Sequence, residues 1–317
     1  MQRAFLGMSH TPLLGLNPVA ADVETELQAG LASAREKVLA FAPELVVLIA
    51  PDHYNGFFNE LMPPFCIGTQ AQSVGDYLSP AGPLRVDADA SLALATRLMD
   101  EDFDVAVSRR MQVDHGFAQS LQILWGSLDT PPVLPIFINA AAQPVIPRLR
   151  RCRSLGEAIG RFLDSVPRRT LLIGSGGLSH DPPVPTLQHP DATVRERITV
   201  RSDTTQAERD AKTQRVMAAG MALAGGTSPR TPLNPAWDRR WMDAMAGGAA
   251  ELDALCADTE ESIEAQAGLS AHESKSWLVA RSALSKTRAL NCSLRHYQAI
   301  PEYIAGFGVM FLEQPTA

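Results

Sequence analysis

Apolar residues in the first half of the chain fall into short unbroken runs, separated by stretches with helical spacing. Residues 44–50 (ELVVLIA), 64–68, 133–138 (VLPIFI) and 170–174 (TLLIG) have strand length and strand composition, and 4–8 is a shorter run of the same kind. Continuous runs of this sort suit strands buried on both faces of a sheet. Between the first two, Val23, Leu27, Leu31, Ala34, Val38 and Phe41 recur at steps of three or four, one face of a long helix. Asn17-Pro18 offers a cap with proline at the first helical position, and Pro43 a stop. Further helical stretches are expected near 89–100, 116–127 and 154–166. This alternation predicts an α/β fold with a central mixed sheet flanked by helices.

The second half changes character. Residues 185–230 are polar, with helix signals around 205–224, and 234–286 reads as helical throughout from Asn234-Pro235 onward. Apolar strand material returns at 303–312 (YIAGFGVMFL). We read one domain over 1–317, with a helix-rich insertion at roughly 200–286 before a final strand.

Charge narrows the partners. Lys+Arg number 28 against 35 Asp+Glu, a net charge of −7, and no basic run is present. Nucleic acid and anionic membrane are therefore not expected partners. No apolar stretch reaches the ~18 residues of a membrane span, and the first ten residues are too short and polar for a signal peptide. Cys66, Cys152, Cys256 and Cys292 lack CxxC spacing, so neither a disulfide framework nor a thiolate zinc site is expected. A cytoplasmic globular enzyme is the expectation.

Histidine placement carries the chemistry. His10, His53 and His180 each follow a predicted strand, where open α/β sheets bind ligands. His115 precedes a predicted helix and could join them. A lone histidine after a strand is usually a loop residue bonded to backbone; several in the same topological position suggest convergence. Asp52 and Asp114 each precede a histidine, where a carboxylate could orient the ring. Residues 174–177 (GSGG) lack phosphate-loop spacing, and close backbone approach near His180 explains them better. Two imidazoles and one carboxylate, with open positions left on the metal, make the face used by non-haem Fe(II) oxygenases. Glu273 stands out as the carboxylate, although spacing alone also suits a first-turn glutamate favoured by the helix dipole.

Six ordered blocks carry a resemblance along nearly the whole chain: SHTPL at 9–13, APDHYNGFF at 50–58, QVDHGFAQ at 112–119, LIGSGGLSHDPPVP at 172–185, HESKSW at 272–277 and IPEYIAGFG at 300–308. The sequence resembles the class III extradiol ring-cleaving dioxygenases, the superfamily of the protocatechuate 4,5-dioxygenase β subunit. The resemblance implies Fe(II) held by His10, His53 and Glu273, with His115 as proton donor and His180 as proton acceptor. It implies a catechol and O2 as substrates, specifically 3-(2,3-dihydroxyphenyl)propionate or the corresponding cinnamate. Cleavage beside the diol would give 2-hydroxy-6-oxo-nona-2,4-diene-1,9-dioate. It also implies a homo-oligomer, a tetramer or larger. Arg295 is the candidate partner for the substrate carboxylate, since a guanidinium can grip it bidentately. The rival readings are a zinc hydrolase on the same donors, a non-enzymatic metal-binding module, and a sister dioxygenase for another catechol.

Overall fold

The computed structural model describes residues 2–202, 205–284 and 290–314. The outermost residues of the expected 1–317 domain, and residues 285 and 286 of the helical stretch, lie outside the described residues.

The chain runs β1 (Arg3–Met8), α1 (Ala21–Phe41), β2 (Leu45–Ala50), β3 (Phe65–Gly68), β4 (Ala71–Val74), β5 (Ala81–Pro83), α2 (Ala88–Asp100), β6 (Ala106–Ser108), β7 (Met111–Val113), α3 (His115–Trp125), β8 (Val133–Ile138), α4 (Leu149–Leu163) and β9 (Thr170–Ser175). Then follow α5 (Ala192–Thr199), α6 (Gln206–Ala224), α7 (Pro235–Ala246), α8 (Ala249–Leu255), α9 (Glu260–Ala267), α10 (Lys275–Ser282), β10 (Asn291–Ile300) and β11 (Ala305–Glu313). Eight strands form one mixed sheet in the order β10-β11-β1-β9-β2-β8-β3-β6. Its centre, β1-β9-β2-β8, is parallel.

Alternate residues of each central strand feed two separate cores. In β2, Val47 and Ile49 face the side covered by α4 and α10, where Trp277 and Leu278 pack. Val46, Leu48 and Ala50 face the side of α1, with Leu27, Leu31 and Val38. Every residue of β1, β2, β8 and β9 is buried, which is why these strands read as unbroken apolar runs. The registers Met8↔Ser175 and Ile49↔Gly174 bring the carboxyl ends of β1, β9 and β2 to one edge. No helix among the described residues is long and apolar enough to cross a membrane.

Three expectations are corrected. Helix α1 starts at Ala21 rather than beside Asn17. Asn17 is buried and donates to the carbonyls of Met217 and Glu302 instead, tying its loop to α6. The helical insertion is followed by a hairpin, not a single strand: β10 pairs antiparallel with β11. Lying at the sheet edge and mostly part-exposed, β10 has no apolar run to betray it. Tyr303 belongs to a single 3-10 turn, so the last strand starts at Ala305.

Candidate metal centre and active site

Because β1, β2 and β9 end together, His10, His53 and His180 meet although they are far apart in sequence. His115 arrives from a second, three-stranded sheet, β5-β4-β7, whose strand β7 leads into α3. The ring centroids of His10 lie 5.4 Å from those of both His53 and His115, and His53 stacks on His115 at 4.6 Å. His10, His53 and His115 bring ligand atoms within 4.8 Å of one another, a group that could hold a metal ion. Glu273, in a 3-10 turn before α10, sends its carboxylate among them. It lies 3.2 Å from His10 Nε2, 3.0 Å from His53 Nε2 and 3.1 Å from His180 Nε2.

All four histidines present the same face. His53 Nδ1 donates to Asp114 at 3.0 Å, His115 Nδ1 to Asp76 at 2.7 Å and His180 Nδ1 to the Leu178 carbonyl at 2.9 Å. Ser175 Oγ gives its own proton to the Gly116 carbonyl, so at 3.0 Å it accepts from His10 Nδ1. Each Nδ1 therefore holds its proton, and each Nε2 turns to the centre. His10 Nε2 and His115 Nε2 are buried with no hydrogen-bond partner. Bare ring nitrogens can face a carboxylate at 3 Å only with protons or a cation between them. The donor set fits a divalent metal.

The electrostatics set the charge on each of these groups. Burial disfavours charge on His53, but Asp114 and Glu273 outweigh it and raise its pKa well above the ordinary histidine value. His180 is also raised, burial being overcome by Glu273. At His10, which faces a hydroxyl instead of a second carboxylate, burial wins and the pKa falls. Burial also opposes charge on Glu273, yet His180 and His10 hold its carboxyl well below the usual range. A metal bound at His53 and Glu273 would displace the proton on His53 and withdraw the Glu273 charge that favours one on His180. Apparent affinity for Fe(II) or Co(II) should thus rise with pH through and above neutrality, with net proton release in calorimetry. An affinity flat between pH 6 and 8 would contradict this charge state.

The loops are built around these rings. Asp114 Oδ2 accepts from the backbone and ring of His53 and from Asn55 Nδ2, while Oδ1 caps α3 at Gly116. Gln119 clamps the loop after β1 by bonding both the N–H and the carbonyl of Thr11. Gly177 comes so close to His180 that a Cβ would sit 2.6 Å from its ring, and its N–H donates to Glu273. Gly176 is equally tight against the Glu273 backbone. The glycines of 174–177 serve close approach, as expected. Under Glu273, buried Lys275 bonds the Pro147 carbonyl and Glu260, and Trp277 Nε1 bonds the Gly176 carbonyl.

Adjacency in sequence misdirects for the carboxylates. Asp52 does not touch the His53 ring; it accepts the N–H groups of Asn55, Gly56 and Phe57 and shapes the loop. Asp114 serves His53, not its neighbour His115. The partner of His115 is Asp76, which receives both its N–H and its Nδ1–H and which sequence reasoning missed. Asp76 follows β4 just as His115 follows β7, and these two strands are parallel neighbours. Their lengths of four and three residues left no readable signal. Loss of such an outer partner typically costs about 10–100-fold in metal affinity. Asp114→Asn should show that loss and Asp52→Asn should not, measured by metal titration of the two variants.

Arg295 is not brought to the site. It lies on edge strand β10 and turns to α7, where it pairs with Asp243 at 2.6 Å and bonds the Arg239 carbonyl. The histidines open instead into a cleft of about 1470 Å³ whose far wall carries cations from α5, α6 and the loop after it, among them Arg197, Lys212, Arg215 and Arg230.

Comparisons with known proteins point to one family. A protein of Comamonas testosteroni named "2,3-dihydroxyphenylpropionate/2,3-dihydroxicinnamic acid 1,2-dioxygenase" is 67% identical, covering 98% of this chain and 97% of its own. Proteins of the same name from Burkholderia vietnamiensis and Escherichia coli O139:H28 are 50% and 48% identical, covering 98% and 95% of this chain and 96% and 95% of their own. The fold is similar to the crystal structure of an uncharacterised Escherichia coli K12 protein, with a TM-score of 0.52 at 11% identity, covering 99% of this chain and 100% of that one. Residues 4–308 match the catalytic LigB subunit of aromatic ring-opening dioxygenase, and the chain belongs to that family of ring-cleaving enzymes.

Proposed function

We propose that the protein is an Fe(II)-dependent extradiol dioxygenase acting on 3-(2,3-dihydroxyphenyl)propionate and its cinnamate analogue. The observation that carries this is the set of three imidazole Nε2 atoms, of His10, His53 and His180, turned onto the Glu273 carboxylate with His115 beside them, all lining a cleft that also carries cations. His10, His53 and Glu273 would hold the metal: two imidazoles plus a carboxylate on one side leave the opposite positions open. Bound Fe(II) would supply coordination for the two catechol oxygens and O2 and pass electron density from the ring to O2.

The protein's own part is proton traffic. His180 Nε2, fixed by the Leu178 carbonyl at its other nitrogen, is placed to take a proton from a catechol hydroxyl. His115, its Nδ1–H held by Asp76, would take up the second proton that the catechol gives up at its Nε2 and pass it to the oxygen released when the O–O bond breaks. Both atoms of O2 enter the product, and the catechol is the only reductant needed. His10, His53 and His115 also form a possible three-histidine group; metal analysis of variants separates the two ligand sets.

Anaerobic reconstitution with Fe(II), followed by the catechol and a measured amount of O2, tests the function. One O2 consumed per yellow ring-opened product supports it; activity with Zn(II) alone, without O2 uptake, would overturn it. The same reading carries the expected homo-oligomer, which a clean monomer in light scattering would refute. It also places the enzyme in the cytoplasm, where the free thiols of Cys66, Cys152, Cys256 and Cys292 suit a reducing compartment.

A further inference from the structure

We infer that Lys212 and Arg215, on α6, bind the carboxylate of the substrate side chain and so set the preference among 3-substituted catechols. The inference rests on the proposed substrate class and adds the residues that read it.

Most cations lining the cleft are already engaged. Arg197 pairs with Glu208 at 3.1 Å. Arg201 bonds Gln112 and the Gly56 carbonyl. Arg230 bonds the Pro182 carbonyl and lies 3.7 Å from Asp181. Arg209 bonds Gln206. Among the described residues, Lys212 and Arg215 form no ion pair, and both line the cleft. Three residues apart on a helix, they share a face.

Tyr77 connects them to the reacting end. Its ring packs edge-on against His115 at 5.1 Å, and Lys212 Nζ stands 5.9 Å from the centre of the same ring. Arg215 is close enough for its charge to act on the Tyr77 hydroxyl, against burial and the Asp76 and Asp114 carboxylates. Tyr77 and Leu78 both have left-handed backbones, at φ 44° and 65°, which L side chains rarely adopt. The turn thus sets the ring between His115 and α6. A propionate arm places its carboxyl carbon roughly 4 Å beyond the catechol ring. A catechol seated beside His115 therefore extends its carboxylate past Tyr77 toward these two cations. In an acidic chain, such local cations are what an anionic substrate needs.

The test is steady-state kinetics of the Fe(II)-loaded enzyme on 3-(2,3-dihydroxyphenyl)propionate and on 3-methylcatechol, which lacks the carboxylate. Wild type should prefer the propionate; absence of that preference would overturn the substrate reading itself. Given the preference, Lys212→Met and Arg215→Met should each raise KM for the propionate on the order of 10- to 100-fold, the range for one hydrogen bond to a charged group. Both parameters for 3-methylcatechol should stay unchanged, as should all four in Arg295→Ala. Equal losses on both substrates, or none on either, would overturn the inference. Arg215→Glu adds a gain-of-function arm: it should improve turnover of 3-(2-aminoethyl)catechol relative to the propionate, and no reversal would count against the site.

Discussion

Glu273→Ala and His53→Ala should each lose the metal and, with it, all ring cleavage. The expected fall in metal affinity exceeds the roughly 10–100-fold that removal of an outer partner costs, because the proposed assignment makes each of them a ligand and not a support. Glu273 lies within 3.2 Å of three imidazole Nε2 atoms and is itself held by the Gly177 N–H. Removing its charge leaves no carboxylate among the three Nε2 atoms, and Asp114 and Asp76 lie behind the His53 and His115 rings at their Nδ1 sides. Glu273→Gln separates charge from shape: it keeps an oxygen for Gly177 and should still fail to retain Fe(II). Metal content after anaerobic loading and desalting is the measurement. Stoichiometric iron in either Glu273 variant would remove it from the ligand set and favour the three-histidine group, in which case His115→Ala should be the variant that empties.

Much of this centre was legible in the sequence, for a physical reason. Central strands buried on both faces leave unbroken apolar runs, and the loop just past each run starts at the sheet's carboxyl edge. That places His10, His53 and His180 together before any contact is known. The orienting carboxylates were not legible because they are tertiary. Asp114 reaches across to His53 and Asp76 to His115, while Asp52 spends its acceptors on its own loop. Spacing along the chain suggests neighbours; only the packing of the two sheets shows that each histidine is served by a carboxylate from another segment. Arg295 failed similarly. A segment that returns late to the sheet can return at its edge, and β10 does, so Arg295 faces α7 and not the cleft.

His115→Ala and His180→Ala should behave differently from the ligand variants and from each other. Both should keep their iron, and each should lose turnover by about 10²–10⁴-fold, the usual worth of one acid–base group. Neither is needed to complete a face of two imidazoles and a carboxylate. Both stand beside it: His115 Nε2 has no hydrogen-bond partner, and His180 Nε2 faces Glu273 at 3.1 Å, a contact that a metal taking the carboxylate would release. In the proposed role His180 would act early, so its loss should slow binding of the deprotonated catechol, visible as a slower optical change when substrate is mixed without O2. In the proposed role His115 would act later, so His115→Ala should bind the catechol at the wild-type rate and stall afterwards. Asp76→Asn should reproduce the late defect in weaker form, since it leaves the His115 ring but removes the charge that fixes its Nδ1 proton. If His115→Ala instead slowed the anaerobic step and His180→Ala the later one, the two roles would have to be exchanged.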